Sequence, residues 1–371
     1  MKFSVSSNDL NGGLSAVIGA VPNKATLPIL ETILFESEDG RLKLTATDLE
    51  ISIIEYIDAE IEEEGAVAIP ARRLLDTLRQ LPNIPVFFEV DADQNVEFKT
   101  DKGKYKLVGE EADEFPEIPD METGETLNTD TELIQNAISK TMFAVSTDDL
   151  RPAMMGVYFD IGEEATKFVA TDGHRLVRFV NKNFKSETPL SFIVPDKALN
   201  LVSKALDGAD CELKVSSDHA QFKSGSTIVI TRLINEQYPN YESVIPRDND
   251  KNLLIDKNQM LSTVRRVSVF SSSSTRQIRL QLENDKLTIR AEDLDMSSEA
   301  KETITCEYSA DSMEIGFNAK YLADVLSNVD GDEAKFEFST PNRAGIVKPA
   351  EEEDGEEMLM LVMPVMLNSY A

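Results

Sequence analysis

Residues 170–176 read Ala-Thr-Asp-Gly-His-Arg-Leu, and the Ala-Xaa-Asp element that opens this stretch occurs three times in the chain. The other two copies are residues 46–48 and 291–293, so their aspartates, Asp48, Asp172 and Asp293, are 124 and 121 residues apart. β-like alternation of apolar and polar residues precedes each copy. A constant period over a chain of 371 residues indicates one structural unit repeated three times.

Two helices are predicted in every copy. The first precedes the alternating segment, and the second begins 22 to 24 residues after the aspartate; apolar residues recur at helical spacing in both. The predicted windows are 7–20 and 70–81, 131–144 and 195–207, and 256–268 and 317–329. Turn residues punctuate the strand-like stretches between them. The sequence therefore predicts an α+β fold of three repeated domains, 1–124, 125–247 and 248–371, each with two helices packed on antiparallel sheets.

The distribution of charge bears on the partner. The chain has 37 basic and 67 acidic side chains, a formal net charge of −30, which by itself argues against nucleic-acid binding. The six helix windows, however, hold ten basic and seven acidic residues, so they carry a net charge of +3 and the remainder carries −33. Either these are ordinary solvated helix faces, or the helices share a surface that faces phosphates while an acidic exterior repels DNA.

A ring makes the second interpretation concrete. Two chains would supply twelve helices, whose axes, about 9 Å apart, would define a circle roughly 35 Å in diameter. Subtracting one helix diameter of about 10 Å leaves roughly 25 Å, enough for duplex DNA and a thin layer of water. Such a ring would need only a weakly positive lining, because topology would hold it on the duplex.

Composition indicates where the protein works. The start of the chain has no signal-peptide apolar region, and no apolar run approaches the length of about 20 residues that spans a bilayer. Cys211 and Cys306 lack metal-type spacing, so a reducing cytoplasm is the simplest setting, although a disulfide between them is left open. No metal and no cofactor are expected, because no His/Cys cluster and no phosphate-binding glycine loop occurs.

Short motifs in the chain resemble those of the bacterial DNA polymerase III beta subunit family, the sliding clamps. They appear in family order across nearly the whole chain: Leu-Pro-Ile-Leu at 27–30, Thr-Ala-Thr-Asp-Leu-Glu at 45–50, Ile-Pro-Ala-Arg at 69–72, Phe-Pro-Glu-Ile-Pro at 115–119, Ala-Thr-Asp-Gly-His-Arg-Leu at 170–176, Tyr-Pro-Asn-Tyr at 238–241, Gly-Phe-Asn at 316–318 and Val-Met-Pro at 362–364. The resemblance implies a DNA-clamp fold and a head-to-tail homodimer that encircles double-stranded DNA without regard to sequence. It further implies a processivity factor without catalytic activity, loaded by a clamp loader and bound by replicative and repair DNA polymerases and other proteins with a clamp-binding motif.

The resemblance also implies three sets of site residues. A pocket for linear peptides containing Gln and Leu or Phe would comprise Met154, Thr171, Gly173, His174, Arg175, Leu176, Pro239, Val244, Asn318, Tyr321, Val362, Met363, Pro364 and Val365. Phosphate-facing residues would be Lys24, Arg72, Arg73, Lys197 and Lys204. The dimer contact would join Tyr105 and Leu107 to Val269 and Phe270 of the partner subunit. Plain core packing is the alternative for each pocket residue.

The chain departs from the family pattern in four places. Ser243 and Met366 stand where the family often has arginine, which would weaken contacts to an acidic ligand residue. The acidic insert at 351–357 predicts a longer hairpin tip, and residues 368–371 extend beyond the usual ending.

Two other functions fit parts of the sequence. An acidic, repeat-built interaction scaffold would need no DNA. A hydrolase would use His174 as base with Asp172, but an i, i+2 pair does not orient an imidazole toward a nucleophile, and no Gly-Xaa-Ser-Xaa-Gly elbow occurs.

Overall fold

The structure is a computed structural model that describes residues 1–367, so the predicted extension at 368–371 lies outside the described part. Within residues 1–367 there are six α-helices, one in each predicted window: α1 (Ser7–Val17), α2 (Ala71–Leu78), α3 (Thr131–Thr141), α4 (Asp196–Ala205), α5 (Lys257–Ser268) and α6 (Ala319–Ser327). Short 3₁₀ turns, Ile18–Ala20 and Met142–Ala144, continue α1 and α3 to the ends of their windows. The helix predictions are confirmed.

The strands alternate with the helices in the same order in each copy, apart from one extra short strand, Glu60–Glu63, in the first. The first ten are β1 (Lys2–Ser6), β2 (Thr32–Glu38), β3 (Arg41–Thr47), β4 (Ile51–Asp58), β5 (Glu60–Glu63), β6 (Ala66–Pro70), β7 (Pro85–Val90), β8 (Asn95–Lys99), β9 (Lys104–Val108) and β10 (Glu125–Asp130). The next seven are β11 (Gly156–Ile161), β12 (Thr166–Thr171), β13 (Arg175–Asn181), β14 (Leu190–Pro195), β15 (Asp210–Val215), β16 (His219–Ser224) and β17 (Thr227–Arg232). The last eight are β18 (Lys251–Asp256), β19 (Gln277–Glu283), β20 (Lys286–Asp293), β21 (Ser298–Thr305), β22 (Met313–Asn318), β23 (Glu333–Phe338), β24 (Gly345–Pro349) and β25 (Glu356–Val362).

The described residues form two compact units. The first comprises residues 1–138 and 194–234, and the second comprises 139–193 and the described residues from 235 onward. Each unit thus draws on more than one predicted domain, and the boundaries at 124 and 248 stay predictions. The acidic insert joins β24 to β25 as an antiparallel hairpin, with its last residues inside β25.

Antiparallel pairing in the first unit joins one copy of the repeat to the next. One sheet has the order β5-β1-β7-β8-β9, and a second has the order β10-β15-β16-β17-β4-β3-β2-β6. In the second sheet β17 pairs with β4, from Thr227 opposite Glu55 to Thr231 opposite Ile51. The second sheet therefore contains strands from two copies.

The second unit repeats this arrangement. Its large sheet has the order β14-β11-β12-β13-β25-β24-β23-β18, in which β13 pairs with β25 from Arg175 opposite Val362 to Asn181 opposite Glu356. A smaller sheet has the order β21-β20-β19-β22. Strand β21 is at the edge of that sheet, as β9 is at the edge of its own.

Helical spacing explains which face of each helix is buried. Helix α1 buries Leu10, Gly13, Leu14 and Val17, which recur at i, i+3, i+4 and i+7. Helix α2 likewise buries Ala71, Leu74, Leu75 and Leu78 and leaves its arginines in solvent. Both helices pack on sheet, and α1 also contacts α2 and α4. The apolar periodicity of α2 thus leaves its arginines on the face of the helix that is turned away from the sheet.

Both cysteines are free thiols. Cys211 is buried in β15, and burial raises the pKa of its thiol to about 12. Cys306 is half-buried, and burial raises its pKa to about 11. Among the residues that the structure describes, no helix has the length and apolar character required to cross a membrane.

Candidate functional site

A tight turn between β12 and β13 is the centre of the site. The Asp172 carboxylate accepts hydrogen bonds from the backbone N–H groups of His174 (2.8 Å) and Arg175 (3.0 Å). The Thr171 hydroxyl accepts from the N–H of Gly173 (3.1 Å) and donates to the carbonyl of Arg175 (2.7 Å). Gly173 has φ +86°, a left-handed conformation that glycine adopts without steric cost. The local sequence therefore specifies this turn.

The aspartate hydrogen bonds of this turn recur at the other two Ala-Xaa-Asp elements, although in the third copy the residue after the aspartate is not left-handed. Asp48 accepts from the N–H groups of residues 50 and 51, and Asp293 accepts from those of residues 295 and 296. This is the pattern of an Asx turn. The left-handed position of the first copy is Leu49, at φ +79°, where a side chain introduces strain that Gly173 avoids. The repeat found in the sequence is thus a repeated turn.

Arg175 links the turn to α6. Its guanidinium pairs with Asp172 (3.2 Å) and Asp324 (2.5 Å) and lies over the rings of Phe143 (5.5 Å) and Tyr321 (5.0 Å). Only 8% of Arg175 is exposed. Paired and stacked in this way, the charge is compensated, and the side chain holds the turn in place.

The geometry does not provide a catalytic Asp–His pair. The His174 ring stacks on Tyr321, with centroids 5.5 Å apart and planes 13° apart. The Asp172 carboxylate is already bonded to two backbone N–H groups and to Arg175, and no hydrogen bond between it and the imidazole occurs among the described residues. The aspartate therefore shapes the turn and does not orient a general base.

A cavity of about 570 Å³ opens beside this turn in the second unit. Eight of the fourteen predicted pocket residues line it: Met154, Thr171, Gly173, Arg175, Leu176, Pro239, Val244 and Met363. Leu176 is buried, whereas Val244 and Met363 are substantially exposed although both are apolar. Exposed apolar side chains around a concave surface are typical of a site for apolar anchors.

The other six predicted residues do not line the cavity. His174 and Tyr321 stack on each other, and Asn318 caps α6 by accepting from the N–H of Lys320 (2.9 Å). The segment that follows Val362 is held by its backbone: the N–H of Met363 donates to the carbonyl of His174 (2.8 Å), and that of Val365 donates to Gly316 (2.9 Å). Pro364 lies between these two anchor points, and these residues support the wall around Met363.

Sequence reasoning missed more than half of the lining. The additional residues are Asn240, Tyr241, Ser243, Ile245, Pro246, Arg247, Asp248, Asn342, Arg343, Ala344 and Leu361. Most of them continue the Tyr-Pro-Asn-Tyr motif, so extension of that motif would have found them. Nothing around Asn342 in the sequence signals its position. Ser243, one departure from the family pattern, lines the cavity, and Met366, the other, is 81% exposed.

All five predicted phosphate-facing residues lie in the first unit and are exposed. Arg72 and Arg73 are in the first turn of α2, and Arg72 donates to the carbonyl of Val21 (3.1 Å), just before Lys24. Lys197 and Lys204 are near the two ends of α4. The Lys197 ammonium pairs with the Asp48 carboxylate, so part of this positive charge is already compensated.

Two cations counted in the helix windows cannot face phosphates freely. Lys140 of α3 is buried, where it pairs with Asp330 and Glu356, both at 2.9 Å, and lies over the ring of Phe179. Arg266 of α5 pairs with Glu302 through two hydrogen bonds. The net charge of the windows therefore overstates the charge that is available at the surface.

The four predicted dimer residues lie in two separate places, and the structure gives the exposure of each. Tyr105 and Leu107 are half-buried on edge strand β9, and the Tyr105 ring stacks on Phe98 (4.8 Å). Val269 and Phe270 follow α5 and are 78% and 41% exposed. Among residues 1–367, no group of three or more His, Cys, Asp and Glu side chains could hold a metal ion.

Comparisons with known proteins cover the whole chain. Residues 1–119, 128–240 and 242–364 match the N-terminal, central and C-terminal domains of the DNA polymerase III beta subunit. The "Beta sliding clamp" of Synechococcus elongatus is 31% identical over 379 residues, covering 100% of both chains, and that of Pseudomonas aeruginosa is 30% identical, covering 99% and 100%. Two solved structures of the Pseudomonas aeruginosa sliding clamp, one with griselimycin bound and one with a ligand, superpose with TM-scores of 0.93 at 29% and 30% identity; each covers 99% of this chain and 100% of that structure.

Proposed function

This chain belongs to the family of the bacterial DNA polymerase III beta subunit, and we propose that it closes around duplex DNA as a head-to-tail homodimer to which polymerases are tethered. It is a DNA sliding clamp, a processivity factor and not an enzyme. The proposal extends to loading by a clamp loader, to binding of replicative and repair polymerases and other clamp-motif proteins, and to action in the cytoplasm. The main support for the DNA contact is that cationic side chains lie on the helices of the first unit.

Three of the five candidate cations occupy positions that helix stability disfavours. Arg72 and Arg73 in the first turn of α2, and Lys197 in the first turn of α4, face the positive end of the helix dipole. Each costs about 0.3–1 kcal/mol relative to a neutral residue there. Free N–H groups and cations at a helix start both attract phosphate, so the arrangement favours the DNA backbone over helix stability. In a chain with 67 acidic residues, this placement supports a DNA-facing role.

The contact is expected to be weak and independent of sequence. Phosphate contacts by exposed cations carry no base information and are lost as salt rises. The pairing of Lys197 with Asp48 further limits the positive charge that is available to phosphates. Retention on DNA would then depend on the closed ring, which leaves the clamp free to slide.

Retention on circular and linear DNA tests this mechanism. The loaded clamp should stay on nicked circular DNA and leave once the circle is cut, at a salt concentration where free protein does not bind. Equal retention on both forms would exclude topological binding. Replacing Arg73 with Glu should reduce loading, whereas Arg232→Glu, the same charge reversal at an exposed arginine outside the candidate set, serves as the matched control.

The internal repeat indicates how the ring closes. Two pairings join successive copies, β4 with β17 and β13 with β25, and both are antiparallel. Strand β21 is the equivalent of β4 and β13 in the third copy, and β9 is the equivalent of β17 and β25 in the first. These two strands are at sheet edges with unpaired backbone groups. Pairing β21 with β9 of the partner subunit would make a third junction of the same kind and close a head-to-tail ring.

The repeat also predicts which residue of β21 would lie at the centre of this junction. In each copy, the alanine of the Ala-Xaa-Asp element has one direct partner on the following strand. These pairs are Ala46 with Ile53, Ala170 with Val177, and Ala291 with Ala300. Ile53 then pairs across the copy boundary with Val229, and Val177 pairs with Met360. Ala300 is therefore the equivalent residue in the third copy, and its partner across the proposed junction would belong to the other subunit.

The matching residue of β9 follows from pairings inside each copy. In each copy, the residue four positions before the start of the first helix has a direct partner on the neighbouring strand. That partner pairs in turn with a residue on the next strand, so that a row of four directly opposed residues crosses the sheet. The rows are Phe3, Phe88, Phe98 and Tyr105; Leu127, Leu213, Phe222 and Val229; and Leu253, Phe336, Val347 and Met360. Tyr105 is thus the equivalent of Val229 and Met360. In the proposed register, Tyr105 of one subunit lies opposite Ala300 of the other.

This register agrees with the chemistry of the two strands. One residue along, Lys106 would lie opposite Glu299, an opposite-charge pair that stabilises strand pairing. On the other face, Tyr105 and Leu107 would lie on the same side as Glu302, which binds Arg266 of α5. They would therefore approach the exposed Val269 and Phe270 at the end of α5, which makes the predicted dimer residues part of the same junction.

Paired cysteines test the register. Oxidation of a protein with Lys106→Cys and Glu299→Cys should give a covalent dimer, since directly opposed residues have Cβ atoms about 5 Å apart. Lys106→Cys with Lys301→Cys, two residues out of register, is the matched control and should cross-link far less. The native thiols contribute little background, because Cys211 is buried and Cys306 half-buried. Stronger linkage in the control would show that the register is wrong.

A further inference from the structure

The net charge of the cavity beside the 172–175 turn is positive, whereas the net charge of the whole chain is negative. Four charged side chains line this cavity, Arg175, Arg247, Asp248 and Arg343, and together they give a net charge of +2. The whole chain carries −30. A local excess of arginine in so acidic a protein produces a field that attracts anionic groups to this cavity.

Two of the three arginines are available to a ligand. Arg175 is buried and already compensated by Asp172 and Asp324. Arg343 pairs only with Asp248 among the described residues, and both side chains are at least half exposed. Arg247 is exposed and forms no ion pair within residues 1–367. A ligand carboxylate could therefore bind Arg247 directly and compete with Asp248 for Arg343.

The length of the connecting chain limits the separation between Arg247 and the apolar residue Val244, which both line the cavity. The segment from Val244 to Arg247 begins with an exposed apolar residue and ends with an exposed cation. Three residues of chain span at most about 10 Å. An extended peptide with its apolar anchor near Val244, Leu176 and Met363 would thus bring a residue about three positions away to the arginines.

We propose that Arg247 and Arg343 form a subsite that selects docking peptides with an acidic residue about three positions from their apolar anchor, and that Asp248 is the built-in competitor for that residue. A guanidinium binds a carboxylate through two parallel hydrogen bonds, which an amide or a hydroxyl cannot reproduce. Apolar side chains continue directly into this charged end of the cavity, which favours a peptide over a nucleic-acid backbone. The proposal rests on the proposed function of the cavity as a peptide site.

The test uses the full-length protein and labelled ten-residue peptides with a Leu-Phe anchor. Matched peptides carry Asp or Asn three positions before or after the anchor, and binding is followed by fluorescence anisotropy at two salt concentrations. The intact clamp should bind one Asp peptide about five- to tenfold more tightly than its Asn partner. Arg247→Gln with Arg343→Gln should abolish that preference, so that the two peptides bind with nearly equal affinity, and Arg232→Gln should behave like the unaltered protein.

Asp248→Asn gives a second test that damage to the fold cannot imitate. Removing the competitor should strengthen binding of the Asp peptide about threefold relative to that of the Asn peptide. A preference for Asp that survives in the double arginine variant would overturn the subsite, as would an equal loss of both peptides. Displacement of the Asp peptide by a short DNA duplex would favour nucleic acid as the occupant. If neither peptide bound the intact clamp, the peptide site itself would be disproved, and the subsite with it.

Discussion

Replacement of Gly173 tests whether the turn between β12 and β13 shapes the peptide cavity. Gly173 has φ +86°, and a Cβ at this position would lie 2.8 Å from Nη1 of Arg151. That nitrogen donates to the carbonyl of Asp172 at 3.0 Å. Gly173→Ala therefore forces a side chain into a left-handed conformation and displaces the guanidinium that holds the neighbouring carbonyl.

The expected magnitude has two parts. The left-handed backbone costs an alanine about 1 kcal/mol. Loss of the hydrogen bond between Arg151 and Asp172 costs about 1 kcal/mol more, because the bond is exposed. Gly331 is a matched control: it has φ +73°, but no heavy atom lies within 4 Å of the added Cβ. Gly331→Ala should therefore lose only the backbone part, about 1 kcal/mol against about 2 for Gly173→Ala.

Two assays separate these parts. Denaturant unfolding of the two variants measures the difference in the free energy of unfolding, and anisotropy measures peptide affinity. We expect Gly173→Ala to weaken peptide binding about fivefold, since the turn lines the cavity, and Gly331→Ala to leave it unchanged. Arg151→Ala should relieve part of the defect in Gly173→Ala, because it removes the clash. Equal stability and equal affinity of the two glycine variants would refute the reasoning.

Three further predictions concern the cavity wall, the buried Lys140 and the left-handed Leu49. Met363→Ala with Pro364→Ala should weaken peptide binding at least tenfold, because Met363 lines the cavity, while the solution mass of the dimer is unchanged; unaltered affinity would show that the pocket is elsewhere. Lys140→Met should lower the free energy of unfolding by about 2–3 kcal/mol at neutral pH, since it leaves two carboxylates without their cation. Burial lowers the pKa of Lys140, but its two carboxylate partners raise it further, so the net pKa is above the ordinary 10.5. Its contribution is then complete below pH 10.5 and is lost as pH rises through the folded pKa, so the curves of the two proteins should converge in strong alkali; a constant gap would contradict this. Leu49→Gly should stabilise the protein by up to about 1 kcal/mol, measured by denaturant unfolding, because it relieves a left-handed leucine that is half exposed; a loss of stability would mean that the leucine side chain packs against something.

The helices were predictable because the signals that specify them are local. Pro70 and Pro195 precede α2 and α4 directly, and the apolar spacing that follows sets the buried face. The Ala-Xaa-Asp element was equally readable, since the aspartate bonds only two and three residues ahead. Its meaning as an Asx turn required the structure, because periodicity does not show where a carboxylate points.

Features that depend on distant pairing were not predictable. The junction of β4 with β17 joins Glu55 to Thr227, and no local pattern encodes the choice of partner or register. The same holds for the cavity: the loop before β24 brings Arg343 to Asp248 across 95 residues of chain. The burial of Lys140 also depends on Asp330 and Glu356, which lie far along the sequence. A count of charges in a helix window cannot detect such compensation.

Hydrogen-bonded junctions between copies limit how the chain can be divided. Cutting it near residue 124 would leave the row of backbone groups on β4 without β17, and cutting near 248 would strip β25 from β13. Each fragment would expose a new, unprotected strand edge. We therefore expect isolated thirds of this protein to aggregate on expression.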